Sequence, residues 1–145
     1  MKELENTIRH LRRERAYLID RFEHLYRYDG DSRSVILEKD DFTDAIITHN
    51  HPADETGFSD SFGKDDYEFL RNHPEIKELR AVNPKYDYKL QLLKPLDLSY
   101  HEAELGGMEL ALENGNYDEL QHNTMKWLEK KGYIKYTRRE AQESS

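Results

Sequence analysis

The chain contains no cysteine, which removes disulfides, iron–sulfur clusters, thiolate zinc sites and cysteine nucleophiles together. Any metal site must be built from histidine nitrogen and carboxylate oxygen. Long apolar runs are missing too, and stretches such as Ala45-Ile46-Ile47 are about as apolar as the chain becomes. Nothing reads as a membrane span or as the apolar segment of a secretory signal, so the expectation is a soluble, cytoplasmic protein with no membrane partner. An excess of positive charge is absent as well: 22 Lys+Arg stand against 30 Asp+Glu, a formal charge of -8. Such a surface repels phosphate backbones, and no nucleic-acid partner is expected.

What remains is 145 residues, 36% hydrophobic, 36% charged and 11% aromatic, enough for one compact domain with a modest core. Leu4, Ile8 and Leu11 recur at helical spacing, which predicts an amphipathic N-terminal helix over 1–13. Arg15–Asp20 and Glu23–Tyr28 read as a hairpin, with one continuous helix to residue 28 as the other possibility. Ser34–Leu37 and Ala45–Thr48 read as short strands, and 52–64 as an irregular loop rich in Pro, Gly, Ser and Asp. Asp65-Asp66 favour a short helix ending near His73-Pro74, and Glu78–Val82 with Tyr86–Leu93 read as a strand pair turned at Asn83-Pro84-Lys85. Ser99 and Glu102 form a capping-box signature for a helix to about Glu113, interrupted at Gly106-Gly107, and a second helix follows through Lys130. Tyr133–Tyr136 reads as a last strand, and 138–145 as a flexible tail.

The chemical signal is His49-Asn50-His51-Pro52, directly after the Ala45–Thr48 strand. Residues i and i+2 of a strand point the same way, so both imidazoles can converge on one ion. A downstream carboxylate would complete three protein ligands, the open arrangement of a catalytic zinc. The contiguous His-Asn-His is unrelated to HNH nucleases, whose named residues are spread over a strand-strand-helix unit. His73, His101 and His122 are scattered, and are assigned to surface or capping roles. Trp127, with Leu120, Met125 and Leu128, reads as helix packing.

These residues resemble the JAMM/MPN (JAB-like) zinc metalloprotease superfamily, whose signature is an upstream Glu, then His-x-His-Pro and Ser-x-x-Asp. Ala45–Pro52 (AIITHNHP) is most similar to JAB-type domains of bacteria and phages, including those associated with phage head-morphogenesis proteins. Glu14-Arg-Ala-Tyr-Leu-Ile-Asp20 and Ile76–Val82, with Lys94-Pro95 beyond, extend the similarity over Glu14 to Pro95. The resemblance implies an α/β (α+β) fold, a mixed central sheet flanked by helices. It implies a JAB-like domain over 14–97, preceded by the helix at 1–13 and followed by a helical extension of two helices over 98–137.

It further implies that His49, His51 and Asp66 hold zinc, and that Glu14 is the general acid/base, with Glu23 as runner-up. Ser59, ten residues after His49, has the spacing of the oxyanion serine, but the position three further on is Phe62 where the family has aspartate. Three registrations stay open: Ser59 with Asp66, Gly63 with Asp66, and Ser61 with Asp65. The implied activity is hydrolysis of an amide bond by metal-activated water. Its substrate would be a peptide or protein, such as a ubiquitin-like conjugate, or a small amidated metabolite. The competing expectation is a catalytically weak JAB scaffold acting as a structural module that binds a host or virion protein.

Overall fold

The computed structural model describes residues 1–52 and 59–142. Its elements in chain order are α1 (Lys2–Ile8), β1 (Arg15–Ile19), β2 (Leu25–Asp29), β3 (Ile46–Asn50), α2 (Lys64–Asn72), β4 (Glu78–Val82), β5 (Tyr86–Leu92), α3 (Tyr100–Asn114), α4 (Leu120–Lys130) and β6 (Ile134–Glu140). The class is mixed α+β, as the sequence predicts. The strands form one six-stranded sheet in the order β2-β1-β3-β4-β5-β6.

Only β3 and β4 run parallel; every other neighbouring pair is antiparallel. A parallel pair cannot be closed by a tight turn, and the connection has to cross over one face of the sheet. Here the crossover carries the loop that leaves His51 and the helix α2. That topology returns the first turn of α2 past the C-terminal end of β3, the place where open α/β sheets collect ligands.

Strand alternation then sorts the residues by face. Ile47, Leu79, Ala81, Tyr88 and Leu90 turn to the side covered by α2, α3 and α4, where they share one core with Phe62, Ala103, Met125 and Leu128. The stretch expected as a helical extension, 98–137, thus contributes to that same core and adds β6 to the sheet edge. Thr48 and Arg80 turn to the opposite side, under α1. There Glu5, only 1% exposed, accepts hydrogen bonds from Thr48 Oγ1 at 2.6 Å and Arg80 Nη2 at 2.7 Å. Arg9 pairs with Asp87 at 2.6 Å.

Several expectations are corrected. The first helix stops at Ile8, where the Leu11 amide takes the Ile8 carbonyl at 3.1 Å in a tighter turn, and the Asn50 side chain then holds the Arg13 carbonyl in the non-helical segment that follows. Residues 15–29 form the hairpin and not a continuous helix. Ser34–Leu37 joins no ladder: Asp31 Oδ1 accepts from the Arg33 and Ser34 amides, and the Asp31 amide donates to the Ser34 carbonyl at 3.0 Å, so the stretch begins in a turn. Helix α3 is uninterrupted. Its glycines serve close packing instead, since a Cβ on Gly106 would lie 2.1 Å from the Trp127 indole and one on Gly107 2.5 Å from Thr124 Oγ1. The tail does not begin at Arg138, because β6 continues to Glu140, paired with Tyr86; residues 143–145 lie outside the described residues. Among the described residues, no helix is long and apolar enough to cross a membrane.

Candidate metal centre

Three of the residues expected as ligands meet. His49 Nε2 lies 2.8 Å from Asp66 Oδ1, His51 Nε2 lies 3.1 Å from Asp66 Oδ2, and the two Nε2 atoms are 3.0 Å apart. These three groups could hold a metal ion. The histidines come from the end of β3 and the aspartate from the first turn of α2. Asp66 is fixed there by the Gly63 amide, which donates to Oδ2 at 3.2 Å. Both imidazoles are buried and rest on Phe62, with ring centroids 6.5 Å away in each case. The residue that stands where the simple family motif has aspartate is thus the apolar floor of the site.

The donor set fits a cation. The backbone of Arg80 holds the His49 ring, so the ring proton of the neutral imidazole lies on Nδ1 and the Nε2 lone pair faces a carboxylate oxygen. Two acceptors in contact repel unless a positive charge joins them, either a proton on the imidazole or a metal ion between them. Burial opposes a charge on His49, yet Asp66, aided by Glu14, holds the imidazole above its ordinary pKa. Burial likewise works against the Asp66 carboxylate, but the two histidines outweigh it and keep it far below the usual carboxylate range. Anchoring of one ring nitrogen by a backbone group, with the other presented to the ion, is the usual support of metal-binding histidines.

Glu14 immediately precedes β1. Ala16 pairs with His49 across the β1–β3 ladder, so continuing the antiparallel register by two residues sets Glu14 opposite His51 on the same face. Its backbone is held on the other side by Gly30 and Asp31, which extend the β1–β2 pairing past Arg15 at 2.8 and 2.6 Å. Burial pushes the half-buried Glu14 carboxyl up to about 7; His49 opposes this and Asp66 adds to it. Glu23, the runner-up to Glu14, has positive φ in the exposed hairpin turn at the far end of β1, away from the histidine pair.

An open cavity of about 1200 Å³ joins Glu14, His49, His51, Asp66 and Ser59. Ser59 contributes its carbonyl to Asn83 Nδ2 at 2.9 Å, while its hydroxyl has no hydrogen-bond partner among the described residues. Ser61 is buried, with its hydroxyl 2.7 Å from Tyr136 Oη. Asp65 lines the cavity without joining the ligand group. Of the carboxylates in the three registrations, Asp66 is the one grouped with the two histidines, and the Ser61 hydroxyl is engaged with Tyr136. His122, expected at the surface, is half-buried and bonds Tyr136 Oη through Nδ1 at 2.8 Å.

Sequence reading missed Asn50. Alternation turns it away from its neighbouring histidines, and its carboxamide accepts from the Arg15 amide at 2.7 Å and donates to the Arg13 carbonyl at 2.8 Å. The residue between the two histidines thus secures the backbone on either side of Glu14. Comparisons with models of protein families, with curated proteins and with solved structures find no match to this chain.

Proposed function

We propose that the chain is a zinc-dependent amide hydrolase, a metallopeptidase or isopeptidase of the JAMM type acting on a peptide or protein in the cytoplasm of a bacterial or phage-infected cell. The observation that carries this reading is the convergence of His49 Nε2, His51 Nε2 and an Asp66 oxygen, all within 4.8 Å of one another, on the same face as a glutamate with a pKa near 7. Zinc suits two imidazoles and one carboxylate, and when bound it acidifies water and polarises a carbonyl.

The chain's own residues do the rest. Glu14 accepts a proton from the attacking water as the water oxygen bonds to the carbonyl carbon. It then returns that proton to the leaving nitrogen as the C–N bond breaks, leaving a carboxylic acid and an amine. A carboxyl poised near the working pH suits both steps. Phe62 and the buried imidazoles keep the site apolar, which strengthens each electrostatic contact.

Metal analysis tests the reading first. Purified protein should carry stoichiometric zinc and lose it on His49→Ala or Asp66→Ala, whereas Glu14→Gln should retain zinc and lose roughly 10²–10⁴-fold in peptide hydrolysis. Zinc that survives both ligand substitutions would sink the proposal. A second reading, a weakly active scaffold that binds a host or virion protein, is favoured by the exposed stripe Leu105, Met108 and Leu112 on α3. Zinc binding without turnover would point to it.

A further inference from the structure

The strand-to-helix connection that delivers Asp66 also approaches α4. Gln121, in the first turn of α4, lines the same cavity as His49, His51 and Glu14. Its Oε1 accepts from the Ser61 amide at 3.3 Å, which tethers the carboxamide at its oxygen. The Nε2 end lies beside Gly63, where an added Cβ would come within 3.1 Å of it. Gly63 has φ of -95°, so it is not required for a left-handed turn; its missing side chain is what leaves room for the amide. The Gly63 amide in turn donates to Asp66 Oδ2, so the Gln121 amide stands one residue from a ligand carboxylate. Among the described residues, Nε2 has no acceptor of its own.

Addition of water to an amide carbonyl places negative charge on its oxygen, and a preorganised donor aimed at that oxygen is worth a large rate factor. Gly63 has no side chain to offer and the Ser61 hydroxyl is spent on Tyr136. Ser59 and Lys64 line the cavity, but neither side chain is tethered by a hydrogen bond among the described residues. The Gln121 amide is tethered and free to donate. Its neighbour adds to the hold, for the His122 amide donates to Asp60 Oδ2 at 2.8 Å and ties this turn of α4 to the loop.

We propose that the Gln121 side-chain N–H stabilises the substrate oxyanion, making Gln121 a catalytic residue contributed by α4. This rests on the hydrolase reading above. It gives the segment beyond Pro95 a part in the reaction itself.

The test uses Gln121→Ala, Gln121→Glu and the double variant Gly63→Ser/Gln121→Ala in zinc-loaded protein. Glutamate keeps an oxygen to accept from Ser61 but has no N–H to donate, which separates catalysis from loop anchoring. Fluorogenic peptides selected by the wild type from a randomised pool report kcat and KM. Titration with phosphonate analogues of the same peptides reports affinity for a tetrahedral oxyanion, and thermal melting checks that each variant is folded. Both single variants should lose roughly 10²-fold in kcat, with KM and zinc content kept. Phosphonate affinity should fall alongside while product affinity holds. The double variant, with a hydroxyl in the space the amide vacated, should regain at least about tenfold.

Wild-type kcat and phosphonate affinity in Gln121→Glu would overturn the assignment. Where the wild type turns over no peptide, a randomised phosphonate pool decides: retention by the wild type and not by Gln121→Glu supports it, and equal or no retention overturns it. A wild type that binds no zinc ends the hydrolase reading itself. A zinc-loaded, active wild type matched by Gln121→Glu ends only the role of Gln121.

Discussion

Asn50 brackets Glu14: its Oδ1 accepts from the Arg15 amide and its Nδ2 donates to the Arg13 carbonyl, so one fully buried carboxamide secures the chain on both sides of the glutamate. The strand that presents two imidazoles to one face of the sheet thereby positions Glu14 from the other.

Replacing Asn50 by Ala removes its hydrogen bonds to the half-buried Arg15 amide and to the carbonyl of the exposed Arg13. The expected cost is about 1–2 kcal/mol, since each such bond contributes about 0.5–1.5 kcal/mol net where water can replace the lost partner. His49 and His51 remain in place, so zinc should still bind while hydrolysis falls. Urea unfolding, metal content and a peptide assay on the same preparation check this; an unchanged unfolding midpoint would show that the bracket carries no energy.

Metal affinity should fall as pH drops. His49, held above its ordinary pKa by Asp66 in spite of its burial, must shed its proton before it can bind an ion. Calorimetric titration with zinc in buffers of different ionisation enthalpy should therefore show proton release near neutral pH. Release that does not grow as the pH is lowered towards 6 would contradict a charged His49.

Gly106→Ala sets two magnitudes against each other. Helix propensity favours alanine by about 0.8–1 kcal/mol, whereas overpacking costs typically about 1–3 kcal/mol. A Cβ only 2.1 Å from the Trp127 ring carbons places this site at the upper end of that range. Net destabilisation is expected, read as a lowered melting temperature, with a change in Trp127 fluorescence because that ring has to move.

His122 predicts an acid-sensitive stability. Burial, with Arg138 assisting, lowers its pKa from 6.5 to about 4. The neutral ring accepts the Tyr136 hydroxyl proton, which leaves the Tyr136 oxygen to accept from Ser61. Above pH 6.5 the folded and unfolded states hold the same proton count at this site. As pH falls through the window from 6.5 towards 4, only the unfolded state takes up the proton, and folding stability declines. The loss should be on the order of 1 kcal/mol, allowing for screening of a half-exposed ring. His122→Asn, which retains an acceptor but does not titrate, should flatten denaturant midpoints over that window.

The local patterns along the chain were legible. The apolar run over Ala45–Thr48, the i, i+2 histidines and the capping signatures at Asp65-Asp66 and Ser99 each rest on interactions within a few residues, and they specify elements whatever those elements later touch. They placed the β3 strand, α2 and the two imidazoles on one face. Partners far away in sequence were not legible. Asn50 reaches back to residues 11–15, Gln121 reaches back to Ser61, and Gly106 looks like a helix breaker until Trp127 is seen lying across it. Ser34–Leu37 has the composition of a strand, but a strand exists only where another offers its ladder, and among the described residues none does.

Composition and spacing by themselves determined that any metal site here would be built from nitrogen and oxygen, and that two imidazoles leave one strand side by side. The tertiary structure alone decided that Asp66 and not Asp65 completes the group, that Phe62 forms its floor, and that Glu14 faces it. Those choices depend on the parallel crossover from β3 through α2 and on the β1–β3 register. Both are long-range pairings whose free energy comes from burying a shared core, and no short window of sequence records that core.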